Sequence, residues 1–292
     1  PNSIIALSKR GEAMRKVASK SWFEVSREGL RQLQEGKSKH FIARELVQNA
    51  WDEITKTCEM KAVWERGRAQ IQVIDDSPEG FRNLADAFTL FAPTYKRADP
   101  TKRGRFNIGE KQVLSVCESA QISTTKGTLF FDKDGRRQSR QARGSGSEIA
   151  VTVKMSRAEF EELLEAVRSY LVPKDVRFTV NDEVITYREP YKIIEATLPT
   201  EVEQAGELRR TQRKTNIHIL KPEGKARLYE IGIPVTEIDC QFDIDVQQKV
   251  PLSTDRETVP QSYLSTLYAE VLNATHDEVA PDQASYMWIR EA

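Results

Sequence analysis

Apolar positions along this chain change their spacing several times, and each change predicts an element. SWFEVSREGLRQLQEG (21–36) has helical spacing, opened by a serine and closed near Gly36. From Lys39 to about Trp64 the same spacing predicts one longer helix. AQIQVID (69–75) alternates and is β-branched, which predicts a strand. DSPEGF is a turn and NLADAFTLF (83–91) a short helix. APTYKRADPTKRGRFNIG then runs as a long polar loop before EKQVLSVC returns to helical spacing. AQISTTKGTLFFDKDGRR and SEIAVTVKM read as strands, with turns at Lys126-Gly127 and Asp134-Gly135. SRAEFEELLEAVRSYL (156–171) is an amphipathic helix whose Ser156 and Glu159 form a capping box. VRFTVNDEVITYRE is a hairpin turning at Asn181-Asp182.

After Pro190 the texture shifts to short strands (TNIHIL, ARLYEIGIPV, CQFDIDV) and a final helix over roughly 260–280. Polar, irregular LPTEVEQAGE sets a boundary near 190–205. The pattern is that of an α+β chain in three parts. Residues 1–37 form an arm and first helix, with 1–20 poorly anchored; 38–190 form a first domain, and 191–292 a smaller second one.

Composition narrows the function classes. Hydrophobic residues make up 39% of the 292 and charged residues 30%, and no apolar run approaches the ~20 residues of a membrane-spanning helix. No signal-peptide pattern is present, so a cytoplasmic setting without membrane contact is expected. Lys+Arg and Asp+Glu both number 44, a net charge of zero that argues against a bulk electrostatic grip on nucleic acid. RRTQRK (209–214) is the best candidate for a local DNA-facing stretch. Cys58, Cys117 and Cys240 lie far apart without a CxxC, and His40, His218 and His276 are scattered, so neither a disulfide scaffold nor a metal cluster is expected.

Four segments carry candidate chemistry. In RELVQNAWDE, Glu45, Asn49 and Asp52 fall on one helix face, with Leu46, Ala50 and Ile54 opposite as a core stripe. In VIDDSPEGF a strand ends in carboxylates. Asp76, with Asp75 as its rival, can accept a hydrogen bond from an exocyclic amine such as that of adenine, and Gly80 lets backbone approach a flat ring. In KRGRFNIGEKQVLSV a glycine loop feeds a helix. The stretch Gly104, Asn107, Ile108, Gly109, Glu110 and Lys111 therefore offers free N–H groups and a dipole that favour phosphate, with Lys96, Arg97, Lys102, Arg103 and Arg105 around it. In GSGSEIAV, Ser147 can reach a ligand through water.

The order of these segments resembles that of the GHKL ATPases, the superfamily of gyrase-type topoisomerases, large ATP-dependent heat-shock chaperones, histidine kinases and MutL proteins. The resemblance covers about residues 38–185. It implies a Bergerat-type α/β sandwich, a mixed sheet with helices on one face, followed by a smaller transducer-like α/β domain. It further implies ATP and Mg²⁺ as ligands. Glu45 would then be the general base that activates water, Asn49 the Mg²⁺ ligand, and Asp76 the adenine reader with Ser147. Asp52 matches a polar position near the adenine side. The sequence departs from the family's glycines at Pro78 and at Asn107, and Asn tolerates left-handed backbone. Residues 92–106 correspond to the ATP lid, a type of loop that often orders on ligand.

In DVQQKVPLSTDRETV (245–259), Gln247-x-Lys249 resembles the gyrase-type loop that returns a lysine to the γ-phosphate, and Arg256 matches the chaperones' sensing arginine. The related proteins dimerise with ATP, often by exchanging N-terminal arms, so an ATP-dependent homodimer is expected, with 1–20 as the arm. No strand-cutting tyrosine can be identified, so any such activity belongs to a partner chain. The leading expectation is an ATPase in a nucleotide-gated clamp. A histidine kinase would need a phosphoacceptor histidine on an N-terminal dimerisation helix, and His40 lies instead at the start of the motif helix. A non-catalytic nucleotide-sensing module of a multisubunit or defence assembly is the other alternative.

Overall fold

The structure, a computed structural model, describes residues 25–81, 83–105, 107–204, 207–252, 258–278 and 287–292. Its first half is built on β2 (Arg68–Asp75), where Ala69, Ile71, Val73 and Asp75 are buried at every second position. β2 pairs antiparallel with β1 (Thr57–Glu65) on one side and β6 (Glu148–Lys154) on the other. β3 (Cys117–Thr124), β4 (Gly127–Asp132) and β5 (Gly135–Ser139) continue beyond β6. β7 (Arg177–Val180) runs parallel to β1, and β8 (Glu183–Ile185) closes that edge. The result is an eight-stranded mixed sheet ordered β5-β4-β3-β6-β2-β1-β7-β8.

Helices α2 (His40–Trp51), α3 (Gly109–Val116) and α4 (Arg157–Arg168) bury Leu46, Val47, Val113 and Leu163 against Met60, Ile71, Ile122 and Val151 of this sheet. A short α1 (Arg27–Gln32), capped by Ser26, precedes them. Lys61, Val63 and Gln70 on the opposite sheet face are exposed. The capping box at Ser156 and Glu159 is formed as read, and Asn181 and Asp182 both take positive φ (48° and 69°) in the hairpin turn.

A second, five-stranded sheet is ordered β12-β11-β13-β10-β9. Its long hairpin joins β9 (Lys192–Gln204) to β10 (Glu207–Leu220). β11 (Arg227–Glu230), β12 (Ile233–Glu237) and β13 (Asp243–Val246) complete it. Helices α5 (Gln261–Thr275) and α6 (Met287–Glu291) cover it with Leu267, Val271 and Trp288 over Leu198, Ile217, Ile219 and Ile244. The two halves meet where Leu171 packs with Leu220 and Tyr229 and donates its N–H to the Gly232 carbonyl at 2.9 Å.

Three sequence expectations are corrected. The helix expected over 39–64 ends at Trp51, with Asp52 as its C-cap, and 57–65 is strand β1. Cys58, Met60 and Ala62 alternate inward there, a period of two that the neighbouring helical pattern masked. Ile54 therefore lies beyond the helix and is 80% exposed, so it is not part of a core stripe. LPTEVEQAGE is no irregular linker up to Gln204, because it belongs to the β9–β10 hairpin, where its polar residues alternate with Leu198, Thr200 and Val202.

Candidate functional site

Helix α2, the end of β2, the loop before α3 and the start of β6 converge on one cavity of about 320 Å³. Leu46, Asn49 and Glu53 face it at intervals of three and four, as helical geometry requires, continuing past the helix end. Asp75, Gly80 and Phe81 line it from the strand end and turn. Lys96, Gly104, Asn107 and Glu110 line it from the lid segment and α3, and Val73, Ile149 and Ser147 from the sheet.

The strand end sends the two aspartates to different surroundings. Asp75 is in phase with Ile71 and Val73, so its carboxylate faces the cavity, accepting from the Ser77 N–H at 2.9 Å and from the Ser77 hydroxyl. Burial pushes this carboxyl above the ordinary range even though the Ser77 donors work the other way. Asp76 points to the opposite side and accepts from the N–H groups of Lys56 (2.8 Å) and Thr57 (3.0 Å) at the start of β1. Slight burial opposes its charge, and those donors outweigh it and hold the group low. Asp75 thus lines the cavity and Asp76 does not, since residues one apart on a strand point to opposite faces.

Glycine is required at two lining turns. Gly80 has φ +57°, and a Cβ there would lie 3.0 Å from the Gly146 carbonyl oxygen. Gly146 has φ +68°, and its Cβ would lie 2.8 Å from the Asp75 carbonyl carbon and 3.0 Å from the Asp76 Cα. The small-residue turn is thereby pressed onto the Asp75 backbone, with Gly146 N–H to Ser77 O at 2.8 Å and Asp75 N–H to Ser147 O at 2.9 Å. Pro78, the departure from the family's glycine, is exposed and does not line the cavity. Asn107, the other departure, has φ +51°, the left-handed conformation expected of it, and its Oδ1 accepts from Lys111 Nζ at 2.8 Å.

Other predicted site residues stand beside the cavity. Glu45 is 3% exposed at the seam of α2 and α3, accepting from the Gln48 amide. A Cβ on Gly109 would lie 2.5 Å from Glu45 Cδ and closer still to its Oε2, so the carboxylate occupies space that any side chain at 109 would take from it. Asp52 is fully buried and accepts from Arg103 Nη1 (2.9 Å) and from the N–H groups of Arg103 (3.0 Å) and Gly104 (2.9 Å). Burial opposes its charge, yet Lys96, Arg103 and the two backbone donors hold it below the usual carboxylate range. It anchors the 103–104 backbone and does not line the cavity. Ile108 caps α3 with its carbonyl. Lys111 is not among the lining residues but contacts two of them, Asn107 and Glu110, and burial lowers its pKa.

The basic residues of the 96–105 segment are also mostly committed elsewhere. Arg103 donates to the Ile231 carbonyl, Arg105 forks onto Glu230 (2.8 Å through Nη1), and Arg97 pairs with Glu203 at 3.0 Å. Lys96 alone of the predicted lid cations lines the cavity, paired with Glu53 at 2.8 Å. Lys249 is 1% exposed and donates to backbone carbonyls of Lys96, Arg97 (3.3 Å) and Asp99 (2.8 Å). Arg256 falls outside the described residues, as do residues 1–20. Glu53, Thr94, Tyr95 and Asp86, not singled out in the sequence, also line the cavity. Glu53 could have been found as the next turn of the Leu46–Asn49 face.

Three of the four cations in the RRTQRK run pair locally: Arg210 with Glu201 at 3.0 Å, Arg209 with Glu207 at 3.2 Å, and Lys214 with Glu195. Among the described residues no helix is long and apolar enough to cross a membrane, and no group of three or more His, Cys, Asp or Glu could hold a metal ion. Scans of protein-family models and of curated proteins find no match for this chain.

Proposed function

We propose that the chain binds an adenine nucleotide with Mg²⁺ in this cavity and hydrolyses it. In this reading the first half is a GHKL-type ATPase unit of Bergerat type and the second a transducer-like unit that responds to the nucleotide. One observation carries the reading: four segments as far apart in sequence as Asn49, Asp75–Gly80, Gly104–Glu110 and Ser147 share one cavity. Its size is at the lower end of the ~300–1,000 Å³ typical of small-ligand sites.

The lining residues fit such a ligand. Val73, Ile149 and Leu46 offer apolar walls for a flat ring, Gly80 permits close approach, and Asp75 retains an oxygen for an exocyclic amine. Toward the other end, Asn49, Lys96, Gly104 and Asn107 face the cavity, and Glu110 carries a buried Oε1 without a hydrogen-bond partner. Asn49 would hold Mg²⁺ through its amide oxygen, with phosphate and water supplying the remaining ligands, so no carboxylate cluster is needed. The bound ion would neutralise phosphate charge. Lys96 adds a positive charge beside it. Glu45 would take the proton from water, for which its carboxylate has to leave its seat on Gly109.

The test is Mg²⁺-dependent ATP turnover of the protein beside Glu45→Gln, with nucleotide binding measured in both. Loss of turnover with binding retained supports the reading. Binding without turnover in either protein favours the second reading, a nucleotide-sensing module, which the burial of Glu45 outside the cavity lining supports. No binding by the unaltered protein contradicts both.

A further inference from the structure

The residue that resembles a phosphate sensor is engaged with backbone. Lys249 has three N–H donors, and three carbonyls of the lid segment, those of Lys96, Arg97 and Asp99, receive them. Its own N–H donates to the Pro100 carbonyl at 2.8 Å, and its carbonyl accepts from Thr200 Oγ1 at 2.8 Å in the middle of β9. A buried ammonium is costly unless such donors are satisfied, and here the satisfaction comes wholly from a segment that belongs to the first half of the chain.

The neighbouring contacts run the same way. Arg105 donates to Glu230 and to the Val250 carbonyl (2.6 Å), while the Val250 N–H donates to Glu230 at 2.7 Å. Arg103 joins Asp52 to the Ile231 carbonyl. The lid segment is therefore stitched to the second sheet from residue 96 to residue 105. Lys96 is the point where the two sides meet: its carbonyl sits in the Lys249 cage while its side chain lines the cavity and pairs with Glu53.

We propose that Lys249 is a positioning residue: from the segment that follows β13 it cages the carbonyls of 96, 97 and 99 and so keeps the lid seated over the cavity before any ligand arrives. The functional consequence rests on the nucleotide reading above; the seating itself does not. Lys96 is the cavity's cation and takes its place from this cage, so the second sheet sets where positive charge meets the ligand. A ligand that draws Lys96 or Lys249 toward itself has to unseat the lid from the second sheet, which couples the two halves.

Hydrogen–deuterium exchange of the ligand-free full chain tests the seating directly, comparing it with Lys249→Met. The expected result is at least about tenfold faster exchange across 95–104, the loss of a hydrogen-bonded charge, with strands β2 and β6 unchanged. If Lys249→Met does not fold, Lys249→Gln keeps a donor while removing the charge, and a smaller increase confined to the same residues is expected. Unchanged exchange at 95–104 in a folded variant overturns the proposal. Faster lid exchange in a protein that binds no ATP upholds the seating and removes the nucleotide reading instead. Where ATP does bind, Lys249→Met is expected to raise KM more than it lowers kcat; a pure loss of kcat would mean that Lys249 acts on the reacting phosphate and would overturn the positioning role.

Discussion

Gly146→Ala is the substitution whose cost the structure defines most closely. Two terms add. The backbone sits at φ +68°, where an L side chain costs roughly 1–2 kcal/mol. The new methyl would also lie 2.8 Å from the Asp75 carbonyl carbon and 3.0 Å from the Asp76 Cα, backbone atoms of a central strand that cannot turn aside as a side-chain end can. Overpacking of this kind costs about 1–3 kcal/mol. The sum is about 3 kcal/mol, which for a chain of this size lowers Tm by roughly 6–12 °C. Gly144→Ala, two residues away, is the control, since a Cβ there meets nothing within 4 Å and its φ is ordinary. Thermal unfolding of both by circular dichroism is the assay. If Gly146→Ala melts within a degree or two of Gly144→Ala, the close approach of this turn to the Asp75 strand end is wrong, and with it the geometry of the cavity wall.

Further outcomes follow from the paired and buried charges. Asp52→Ala strands Arg103 and two backbone donors in the interior and is expected to cost about 3–5 kcal/mol in denaturant unfolding. Removing Glu203, whose pairing with Arg97 is part-exposed, should cost under about 1 kcal/mol. Asp245 offers a pH test: burial, with Glu230 adding, raises its carboxyl from 3.8 to about 6 against the pull of the Gly232 and Gln247 donors. Between those values the folded state holds a proton that the unfolded chain releases, so stability falls as pH rises from about 4 to about 6. Asp245→Asn should flatten that fall by up to about 3 kcal/mol, measured as unfolding free energy against pH; an unchanged slope would refute it.

Much of the fold was legible because its signals are local. The Ser156 and Glu159 capping box, the Asn181-Asp182 turn and the alternation of β2 each depend on residues close in sequence. β1 was missed because TCEMKAVWE follows a helix without proline or glycine to punctuate it, and its alternation becomes informative only once its partners are known. In the site, the segments were found but two orientations were not. Asp75 and Asp76 are one residue apart, and choosing between them needs the sheet face, which is set by pairing with β1 and β6. Arg103 and Arg105 resembled phosphate-binding residues because their partners, Asp52 and Glu230, lie about 50 and 125 positions away. No local pattern announces such pairs.

The measurement that bears most directly on the central claim is adenine-nucleotide affinity of Asp75→Asn beside Asp76→Asn. Both changes are nearly isosteric, and burial already disfavours the charged form of Asp75, so folding should survive in each. If the cavity is the nucleotide site, Asp75→Asn weakens binding by up to about tenfold, the worth of a hydrogen bond, while Asp76→Asn binds as the unaltered protein does. Equal affinities in all three proteins, or a loss confined to Asp76→Asn, would contradict it.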